Sequence, residues 1–421
     1  MILLVNLPQE MVFPPLNLLC LAGMFGSNGV ECKILDTNMC GHNKVIKEVK
    51  RGYPIVGISC MTARRWDAFD FAATIRKLSP RSTIVMGGVH ASLMPEQCQQ
   101  HADVVIKGDG EGPLLDVCQG KDPTERFVPL DELPFPDYDK VDLSLYRGYA
   151  LKRFDSRKMN GIDIRKHPMV LVQASRGCNR HCRFCSSFYV QGPYRTKNPI
   201  RMADEIEVLY AKGVRSLYFA DDSFYLDKAQ GVRFCRELVA RKLSVAFHIE
   251  TRADVIDDEY ASWLKRAGCY RVQVGLETGS DLILKTMHKM ADVEAIYRGV
   301  RSCKKHGLHI QANIIVGNEG ETDGTIEETR ALLKRVDPSI LSAARHGLLL
   351  LPGTAVYRQA LRDGMITDDF WDTRETVRTY KFPQRQIDQW LKRTHTYSLE
   401  QTARYYYERY LEWKSGKMEI E

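Results

Sequence analysis

Short β-rich apolar runs alternate with helical patterns along most of this chain of 421 residues. In its first 112 residues the apolar runs are ILLVN, VECKILD, IVGISC, TIVMGG and DVVIKG, and helices are predicted between them, for example at Leu16–Ser27 and Asp67–Leu78. Strands that alternate with helices form a parallel sheet with helices on both faces. We therefore predict an N-terminal, doubly wound α/β domain of the Rossmann-like kind. In such a domain, ligands bind beyond the carboxyl ends of the strands.

The alternation resumes after Pro168, with predicted strands at MVLVQAS, SLYFAD, SVAFHIE, YRVQVGLE, HIQANIIVG and SILSAARHG. Helical patterns separate these strands, for example at Met202–Lys212, Ala229–Arg241 and Glu294–His306. Six β/α units predict a partial (β/α)6 TIM-type barrel, in which the chemistry lies at the carboxyl ends of the strands.

Between the two series, VPLDELPFPDYD holds three prolines and four acidic residues, which is typical of a linker. The predicted divisions are an N-terminal domain over residues 1–125, a linker over 126–167, a barrel over 168–350 and a mostly helical C-terminal region over 351–421. The end of the chain carries a stripe of aromatic residues, which we interpret as a helix packed on the barrel. These residues are Tyr405, Tyr406, Tyr407, Tyr410 and Trp413.

Charge and hydropathy narrow the classes of protein that the chain can belong to. The net charge of +7 is spread along the chain without a basic run, so nucleic acid is not an expected partner. No stretch of about 18 uninterrupted apolar residues is present, so we expect no membrane span and a cytoplasmic location. In the absence of a secretion signal, the twelve cysteines are expected to be thiols or metal ligands rather than disulfides.

Three of these cysteines stand close together directly after the first predicted barrel strand. In SRGCNRHCRFCSS, Cys178, Cys182 and Cys185 have the spacing C-x3-C-x2-C. Three thiolates on such a loop can bind a [4Fe–4S] cluster, which normally takes four cysteine ligands, so one iron stays open. That iron can chelate an amino acid through its amine and carboxylate. Phe184 would shield the cluster from water.

Nearby arginines, Arg176, Arg180 and Arg183, would favour the thiolates and offset the charge of the cluster. The alternative is a structural zinc site, but zinc needs four nitrogen or sulfur ligands, and no second cysteine pair at zinc-finger spacing is present.

The segment CNRHCRFC resembles the signature of the radical S-adenosylmethionine superfamily. This resemblance implies reductive cleavage of S-adenosylmethionine to methionine and a 5′-deoxyadenosyl radical, which removes a hydrogen from an unactivated position. FADDSF, with Asp221 and Asp222, is similar to the family segment that binds the ammonium of S-adenosylmethionine, where carboxylates suit a cation. In HIETRAD, Arg252 would bind the methionyl carboxylate. VGLETGSD, with Glu277 and Ser280, resembles the segment that contacts the ribose and the methionyl group.

The barrel segment IIVGNEGET resembles the Gly-rich fifth-strand segment that lies against the adenine. It has Glu319 where proline is common, and we assign Glu319 no role.

The N-terminal segments are similar to those of cobalamin-binding radical S-adenosylmethionine enzymes, the class B methyltransferase-like family. The resemblance implies that the corrinoid lies on the carboxyl edge of the sheet, facing the cluster. Ser59, Gly87 and Gly88 would line the pocket for its nucleotide tail. The segment from Gly108 to Glu111, which includes Gly110, would lie near the ring.

The chain departs from classical cobalamin modules, which carry Asp-x-His-x-x-Gly after the first strand. Here the first strand ends at NLPQEM, and Asp36-x-Asn38 follows the second strand. His42 and His90 are nearby, and we interpret each as a surface or loop histidine rather than an axial ligand. A cobalamin-free N-terminal domain therefore stays open as an alternative.

The leading hypothesis is radical methylation of an unactivated carbon. One S-adenosylmethionine would methylate the corrinoid and a second would give the radical, with both cofactors held in line by the protein. The alternatives are a cyclase or rearrangement without methyl transfer, a radical enzyme without cobalamin, and a zinc-stabilised binding protein. A small-molecule substrate and an electron donor such as flavodoxin or ferredoxin are expected partners. No motif identifies the substrate, and His346, Tyr357 and the aromatic tail are candidate pocket residues.

Overall fold

The N-terminal sheet is parallel, and its strand order is β2-β1-β3-β4-β5. The structure is a computed structural model, which describes residues 1–8, 12–147, 158–163, 166–343, 347–372 and 381–394. The strand order reverses direction between β1 and β3, which is the topological switch point where doubly wound sheets bind ligands. The strands are β1 (Ile2–Asn6), β2 (Cys32–Asp36), β3 (Ile55–Ser59), β4 (Thr83–Gly87) and β5 (Val104–Val105).

Helices cover both faces of this sheet, as the alternation predicts. One core contains Leu18 and Phe25 of the first helix with Leu114 of the sixth, and the other contains Val45 and Phe69 of the second and third. The helices of this domain are α1 (Leu16–Ser27), α2 (His42–Val49), α3 (Arg65–Leu78), α4 (Val89–Leu93), α5 (Pro95–Gln99) and α6 (Glu111–Cys118).

The second sheet has six parallel strands in the order β15-β14-β13-β12-β11-β8, and these are the six strands predicted for the barrel. Two short ribbons, β6 with β7 and β9 with β10, lie outside it. The strands of this part are β6 (Lys158–Met159), β7 (Ile162–Asp163), β8 (Met169–Val172), β9 (Ser175–Arg176), β10 (Arg195–Thr196), β11 (Ser216–Phe219), β12 (Ala246–Thr251), β13 (Cys269–Glu277), β14 (His309–Ile314) and β15 (Ile340–Ala343).

Helices follow the barrel strands, and several begin at a side-chain cap. The side chains of Asn198, Asp227, Asp257 and Asp292 each accept a backbone N–H of the next turn. The helices are α7 (Ser187–Gln191), α8 (Pro199–Ala211), α9 (Lys228–Ala240), α10 (Asp258–Ala267), α11 (Asp281–Thr286), α12 (Val293–Lys305), α13 (Asp323–Val336), α14 (Ala355–Arg362) and α15 (residues 384–394).

Gly231 allows close packing of α9 against α10. A Cβ atom at Gly231 would overlap the ring and hydroxyl of Tyr260, which is fully buried. The helix α10 ends at Gly268, whose left-handed backbone suits glycine.

The predicted linker is packed against both domains rather than free. Tyr138 is buried, and its hydroxyl donates to the carbonyl of Leu171 on β8. On α1, a Cβ atom at Gly23 would overlap the carbonyl of Phe135, so glycine permits this close approach. The first described stretch of the linker, residues 126–147, therefore connects the two domains through specific contacts.

The C-terminal residues contact both domains. Trp371 accepts hydrogen bonds at its carbonyl from Arg65 and Gln97 of the N-terminal domain, each at 3.0 Å. In α15, Trp390 packs into the barrel core and donates from its indole to Asp323 at 2.7 Å. The aromatic stripe at residues 405–413 and His346 lie outside the described residues. Within the described ranges, no helix combines the length and the apolar character that a membrane span needs.

Candidate functional site

The three-cysteine loop is closed at its base by the antiparallel ribbon of β9 and β10. Gly177 starts the loop with φ of +75°, and a Cβ atom there would overlap the carbonyl of Gly192. Within the loop, the backbone N–H of Cys185 donates to the carbonyl of Cys182 at 3.0 Å. The ribbon and the glycine therefore fix a tight loop at the carboxyl end of the first barrel strand.

All twelve cysteines are free, and the three cysteines of the loop are half-buried. Burial raises the pKa of the Cys178 thiol and raises that of Cys182 to about 11, so these thiols are protonated at neutral pH until a metal binds. Lys289 and Arg252 are close enough to Cys182 to oppose this rise. No three His, Cys, Asp or Glu side chains of the described residues converge on one point, as the ligands of a single metal ion do. The cysteines of a cubane bind different irons.

Asp222 lies next to this loop and keeps one carboxylate oxygen without a partner. Ser187 accepts from the Cys185 thiol at 3.2 Å and donates to Oδ1 of Asp222 at 2.7 Å. Oδ2 of Asp222 is buried and has no hydrogen-bond partner among the described residues. Burial raises the pKa of Asp222, and an incoming cation would lower it again. This oxygen is suited to an ammonium group.

The carboxylate of Asp221 is bonded to the chain around β9 rather than to the cysteine loop. Its carboxylate accepts from the Ser175 hydroxyl at 2.5 Å and from the backbone N–H of Ala174 at 3.3 Å. Burial raises its pKa to about 7, although these hydrogen bonds oppose the rise. The two adjacent aspartates that the sequence groups together therefore have different surroundings, and only Asp222 has an open oxygen beside the loop.

Arg252 holds the segment that follows α11. Its Nη1 donates to the carbonyl of Lys289 at 2.9 Å, and its Nη2 contacts Asp254 at 2.8 Å. The Nε atoms of Arg252 and Arg180 are buried and have no hydrogen-bond partner within the described ranges. Two donors and one acceptor, on Arg252, Arg180 and Asp222, are thus left open around the three thiols.

Glu277 lies at a strained position where β13 ends. Its φ is +62°, and the register between β13 and β14 shifts between Gly275 and Glu277. Its carboxylate forms a buried ion pair with Lys289 at 2.5 Å. Ser280, also buried, precedes α11. Strain of this kind is frequent where a chain binds ligands.

A cavity of about 440 Å³ separates the carboxyl edge of the N-terminal sheet from the barrel. All five residues that the sequence assigns to the corrinoid line this cavity, namely Ser59, Gly87, Gly88, Gly108 and Gly110. The barrel contributes Leu171, Gln173, Arg176 and Ala220. The cavity is therefore enclosed by the edges of both parallel sheets.

Buried ion pairs join the two domains beside the cavity. Arg176 contacts Glu111 at 2.6 Å and Asp109 at 3.2 Å, and Arg195 contacts Asp109 at 2.7 Å. Burial favours the neutral form of Glu111, but Arg176 outweighs it and lowers the pKa of that carboxyl. Both carboxylates stand at the start of α6, where the helix dipole also favours negative charge.

Comparison with known families agrees with this geometry. The B12 binding domain profile matches residues 3–117, and the Radical SAM superfamily profile matches residues 172–333. The chain belongs to the cobalamin-binding radical S-adenosylmethionine enzymes. Its N-terminal domain is the cobalamin domain, and its barrel is the domain for the [4Fe–4S] cluster and S-adenosylmethionine.

Two curated proteins and one solved structure are similar to this radical S-adenosylmethionine enzyme. An uncharacterized methyltransferase of Pyrococcus horikoshii is 27% identical over 86% of this chain and 82% of its own length. The anaerobic magnesium-protoporphyrin IX monomethyl ester cyclase of Rubrivivax gelatinosus is 27% identical to this chain. The match covers 79% of this chain and 64% of the cyclase. The methyltransferase TsrM of Kitasatospora setae has the same fold, with a TM-score of 0.70 and 22% identity over 86% of this chain and 76% of TsrM.

The residues present fit the cofactors of the cobalamin-binding radical S-adenosylmethionine family. Cys178, Cys182 and Cys185 would supply the three soft ligands of the cluster. Asp222 has an unpaired oxygen and Arg252 an unpaired N–H, which would suit the charged groups of S-adenosylmethionine. The interdomain cavity offers backbone at Gly87 and Gly88 for close approach, as a corrinoid tail needs.

Some sequence interpretations are wrong in detail. His90 is fully buried rather than on a surface or loop, because it lies in α4, where its Nε2 pairs with Gln97 at 2.6 Å. Burial lowers its pKa to about 4. His42 begins α2, and its interpretation stays a prediction. Arg176, expected to favour the thiolates, is occupied by two carboxylates of the other domain.

Other residues near the loop have partners that the sequence does not reveal. Glu319, assigned no role, pairs with Arg183 of the loop at 3.2 Å and with Lys381 at 2.7 Å. Phe184 packs against the apolar cluster that contains Tyr357, which is itself buried. The shielding role of Phe184 and the roles of Arg252, Glu277 and Ser280 stay predictions.

Sequence reasoning did not single out Ser187, Lys289 or Arg195 as functional, and it placed Asp109 near the corrinoid ring only as part of the segment 108–111. Ser187 follows the cysteine motif by two residues, which is a signal that spacing could have provided. Lys289 could not be paired with Glu277 without the fold, since they lie at opposite ends of α11.

Proposed function

We propose that this enzyme methylates an unactivated carbon of a small-molecule substrate, using the [4Fe–4S] cluster, S-adenosylmethionine and cobalamin. One observation carries the proposal. Arg176, which lines the interdomain cavity, stands two residues before Cys178, the first cysteine of the loop. The cavity of the cobalamin domain thus opens towards the same end of the barrel as the cluster loop.

When bound, the cluster and S-adenosylmethionine supply a carbon radical by hydrogen removal, and the corrinoid supplies the methyl group. The chain provides position and charge. Asp222 would bind the ammonium of S-adenosylmethionine through its open oxygen, and Arg252 would donate from Nε to its carboxylate. The buried pair of Glu277 and Lys289 adds no net charge beside Cys182.

A second candidate is radical cyclisation without methyl transfer. It is supported by the similarity to the cyclase of Rubrivivax gelatinosus, which matches this chain over both domains. The two reactions differ in one product, because only methyl transfer converts S-adenosylmethionine to S-adenosylhomocysteine.

The deciding experiment measures that product before any substrate is known. The enzyme is purified without oxygen, loaded with cluster and hydroxocobalamin, and incubated with S-adenosylmethionine and a chemical reductant. We expect S-adenosylhomocysteine in an amount that matches the bound corrinoid, together with slow formation of 5′-deoxyadenosine. Formation of 5′-deoxyadenosine without any S-adenosylhomocysteine would favour the cyclase reaction instead.

Two cysteine variants separate the two uses of S-adenosylmethionine. We expect Cys182→Ala to lose 5′-deoxyadenosine formation and keep S-adenosylhomocysteine formation, because only the former needs the cluster. Cys118→Ala is the matched control, since Cys118 is half-buried in the N-terminal domain and lines neither the loop nor the cavity. It should retain both products.

We also propose that a flavodoxin-type or ferredoxin-type protein reduces the cluster. The position of the cluster loop supports this, since Tyr189 and Met290 near it are exposed. The test replaces the chemical reductant with flavodoxin, its reductase and NADPH, and 5′-deoxyadenosine should still form.

A further inference from the structure

The barrel strands present a polar surface to the inside of the barrel. Val272 and Val274 of β13 pack in the core beneath the helices, so the residues between and beside them face the other way. The same alternation holds on the neighbouring strands, where Phe219, Ile249, Ala312 and their apolar neighbours face the helices. The inward positions are Tyr218, His248, Glu250, Arg271, Gln273, Gln311 and Asn313.

Strand register brings three of these polar side chains together. Glu250 of β12 is paired with Gln273 of β13, and Gln273 is paired with Gln311 of β14. Neighbouring strands of a sheet lie about 4.8 Å apart, so directly paired side chains on one face are neighbours. Asn313 is two residues beyond Gln311 on the same face, towards the carboxyl end of β14. Tyr218 donates a short hydrogen bond from its hydroxyl to Glu250.

Two acceptors in this group are buried without a partner. Gln273 is 8% exposed, and its Oε1 has no hydrogen-bond partner in the described part of the chain. Oδ1 of Asn313 is likewise buried and unpaired there. Gln311, by contrast, is bonded to the Ser342 hydroxyl at 3.3 Å. Because unpaired buried acceptors destabilise a fold, each requires an explanation, and a ligand is one.

The inward surface is continuous with the space between the domains. Leu171, Gln173 and Ala220, which also face inward, line the interdomain cavity. Met169 and Tyr270 stand near the amino ends of their strands, in an apolar cluster that also contains Phe13 of the cavity lining. Gln273 and Asn313 stand further along their strands, towards the carboxyl ends that face the cavity.

We infer that the substrate is a polar small molecule whose hydroxyl or amine groups donate hydrogen bonds to Gln273, Asn313 and Glu250 inside the barrel. This inference rests on the proposed function and narrows its substrate class. Side-chain oxygens of an amide and a carboxylate select donors, and a hydrocarbon would leave the open acceptors of Gln273 and Asn313 unpaired. Lipid hydrocarbon skeletons are thus disfavoured as the part of the substrate that enters the barrel.

Ligand-observed NMR on the loaded enzyme tests the selection for donors. The probes are myo-inositol, which has hydroxyl donors, D-glucosamine, which adds an amine, and a fully O-methylated methyl glucoside, which has a similar ring and no donor. We expect saturation transfer to at least one of the first two and none to the third. Equal transfer to the O-methylated probe, or no transfer to inositol and glucosamine, would overturn the inference.

Two variants locate this binding and reveal which donor is used. We expect Gln273→Met to weaken probe binding about tenfold, the size of one hydrogen bond of about 1.4 kcal/mol. Glu250→Gln should weaken glucosamine more than inositol if the ammonium is the bound donor, and both equally if hydroxyls are. Unchanged binding in Gln273→Met contradicts the inference.

Thermal stability gives a readout that needs no ligand. Gln273→Met removes an unpaired buried acceptor at nearly constant volume, so it should raise the Tm. The matched variant Gln311→Met breaks the bond to Ser342 and should lower it. A lower Tm in Gln273→Met would mean that Gln273 serves the fold, through a buried water for example, and would refute the inference. If the wild-type enzyme forms no S-adenosylhomocysteine, that result would instead contradict the proposed function.

Discussion

Removal of Arg176 tests whether the buried charges hold the two domains together. Its side chain is 12% exposed, and those of Asp109 and Glu111 are 6% and 5% exposed. In Arg176→Met, Arg195 still neutralises Asp109, so Glu111 is left as an unpaired buried carboxylate. Breaking a buried pair in this way costs about 3–5 kcal/mol.

This free energy converts to a measurable shift in Tm. At about 2.1 cal/mol/K for each residue, a chain of 421 residues that unfolds as one unit has an entropy of unfolding of about 0.9 kcal/mol/K. Arg176→Met should therefore lower the Tm of the holoenzyme by about 3–6 °C at pH 7, as measured by calorimetry. Lys107→Met, which breaks an exposed pair with Glu125, is the control and should cost less than about 1 kcal/mol.

The contribution of Glu111 to stability changes with pH in opposite directions in the wild type and in Arg176→Met. In the wild type, Arg176 holds the pKa of Glu111 below its usual value, so this stabilisation is present at neutral pH and is lost only as the pH falls through that lowered pKa. In the variant, burial is the largest remaining influence and raises the pKa of Glu111, against weaker opposition from a backbone hydrogen bond and Arg195. The variant therefore gains stability as the pH falls from neutral, and the Tm difference should shrink towards pH 5.

The double variant Arg176→Met/Glu111→Gln removes the stranded charge and should recover part of the loss. The reasoning would be refuted by an unchanged Tm at pH 7, or by a difference that grows as the pH falls.

Four further substitutions have defined outcomes. Asp222→Asn should weaken S-adenosylmethionine binding by about 1.5–3 kcal/mol in equilibrium dialysis while the iron content is unchanged, whereas Asp221→Asn should mainly lower the Tm, since its carboxylate binds Ser175 and Ala174. Gly231→Ala should prevent folding or lower the Tm strongly, as seen by circular dichroism, because the new methyl group overlaps Tyr260. Trp371→Ala, which empties a buried position, should cost about 3–5 kcal/mol in urea unfolding and should expose the domain interface to proteolysis.

The sequence predicts the sheets well because their signal is local. The helix predicted at Leu16–Ser27 has those bounds in the structure, and all six predicted barrel strands lie in one sheet. The cysteine motif is also local, so its position after β8 follows from the order of the elements. In YRVQVGLE, polar residues alternate with apolar ones, and these polar residues are the ones that face inward. The sequence shows the alternation, but only the fold shows which face points into the barrel.

Contacts between distant segments could not be predicted in this way. Arg176 meets Glu111 across 65 residues, and Arg183 meets Glu319 across 136. Asp221 and Asp222 are equivalent in sequence, and only the geometry of the β8 to β9 turn separates their roles. The burial of His90 depends on Gln97 and on the packing of Phe69, neither of which a single-residue pattern reports.

The contacts of Trp371 also set the order in which the molecule can be completed during synthesis. Arg65 and Gln97 reach the carbonyl of Trp371 across 306 and 274 residues of chain, and Gln97 also bonds Asp372. The N-terminal domain leaves the ribosome first and has its own two cores, so it can fold while most of the barrel is still untranslated. The contacts that fasten it to the C-terminal segment form only when that segment has been made. Until then the nascent cobalamin domain stands alone, with the edge that will face the barrel still accessible from solution.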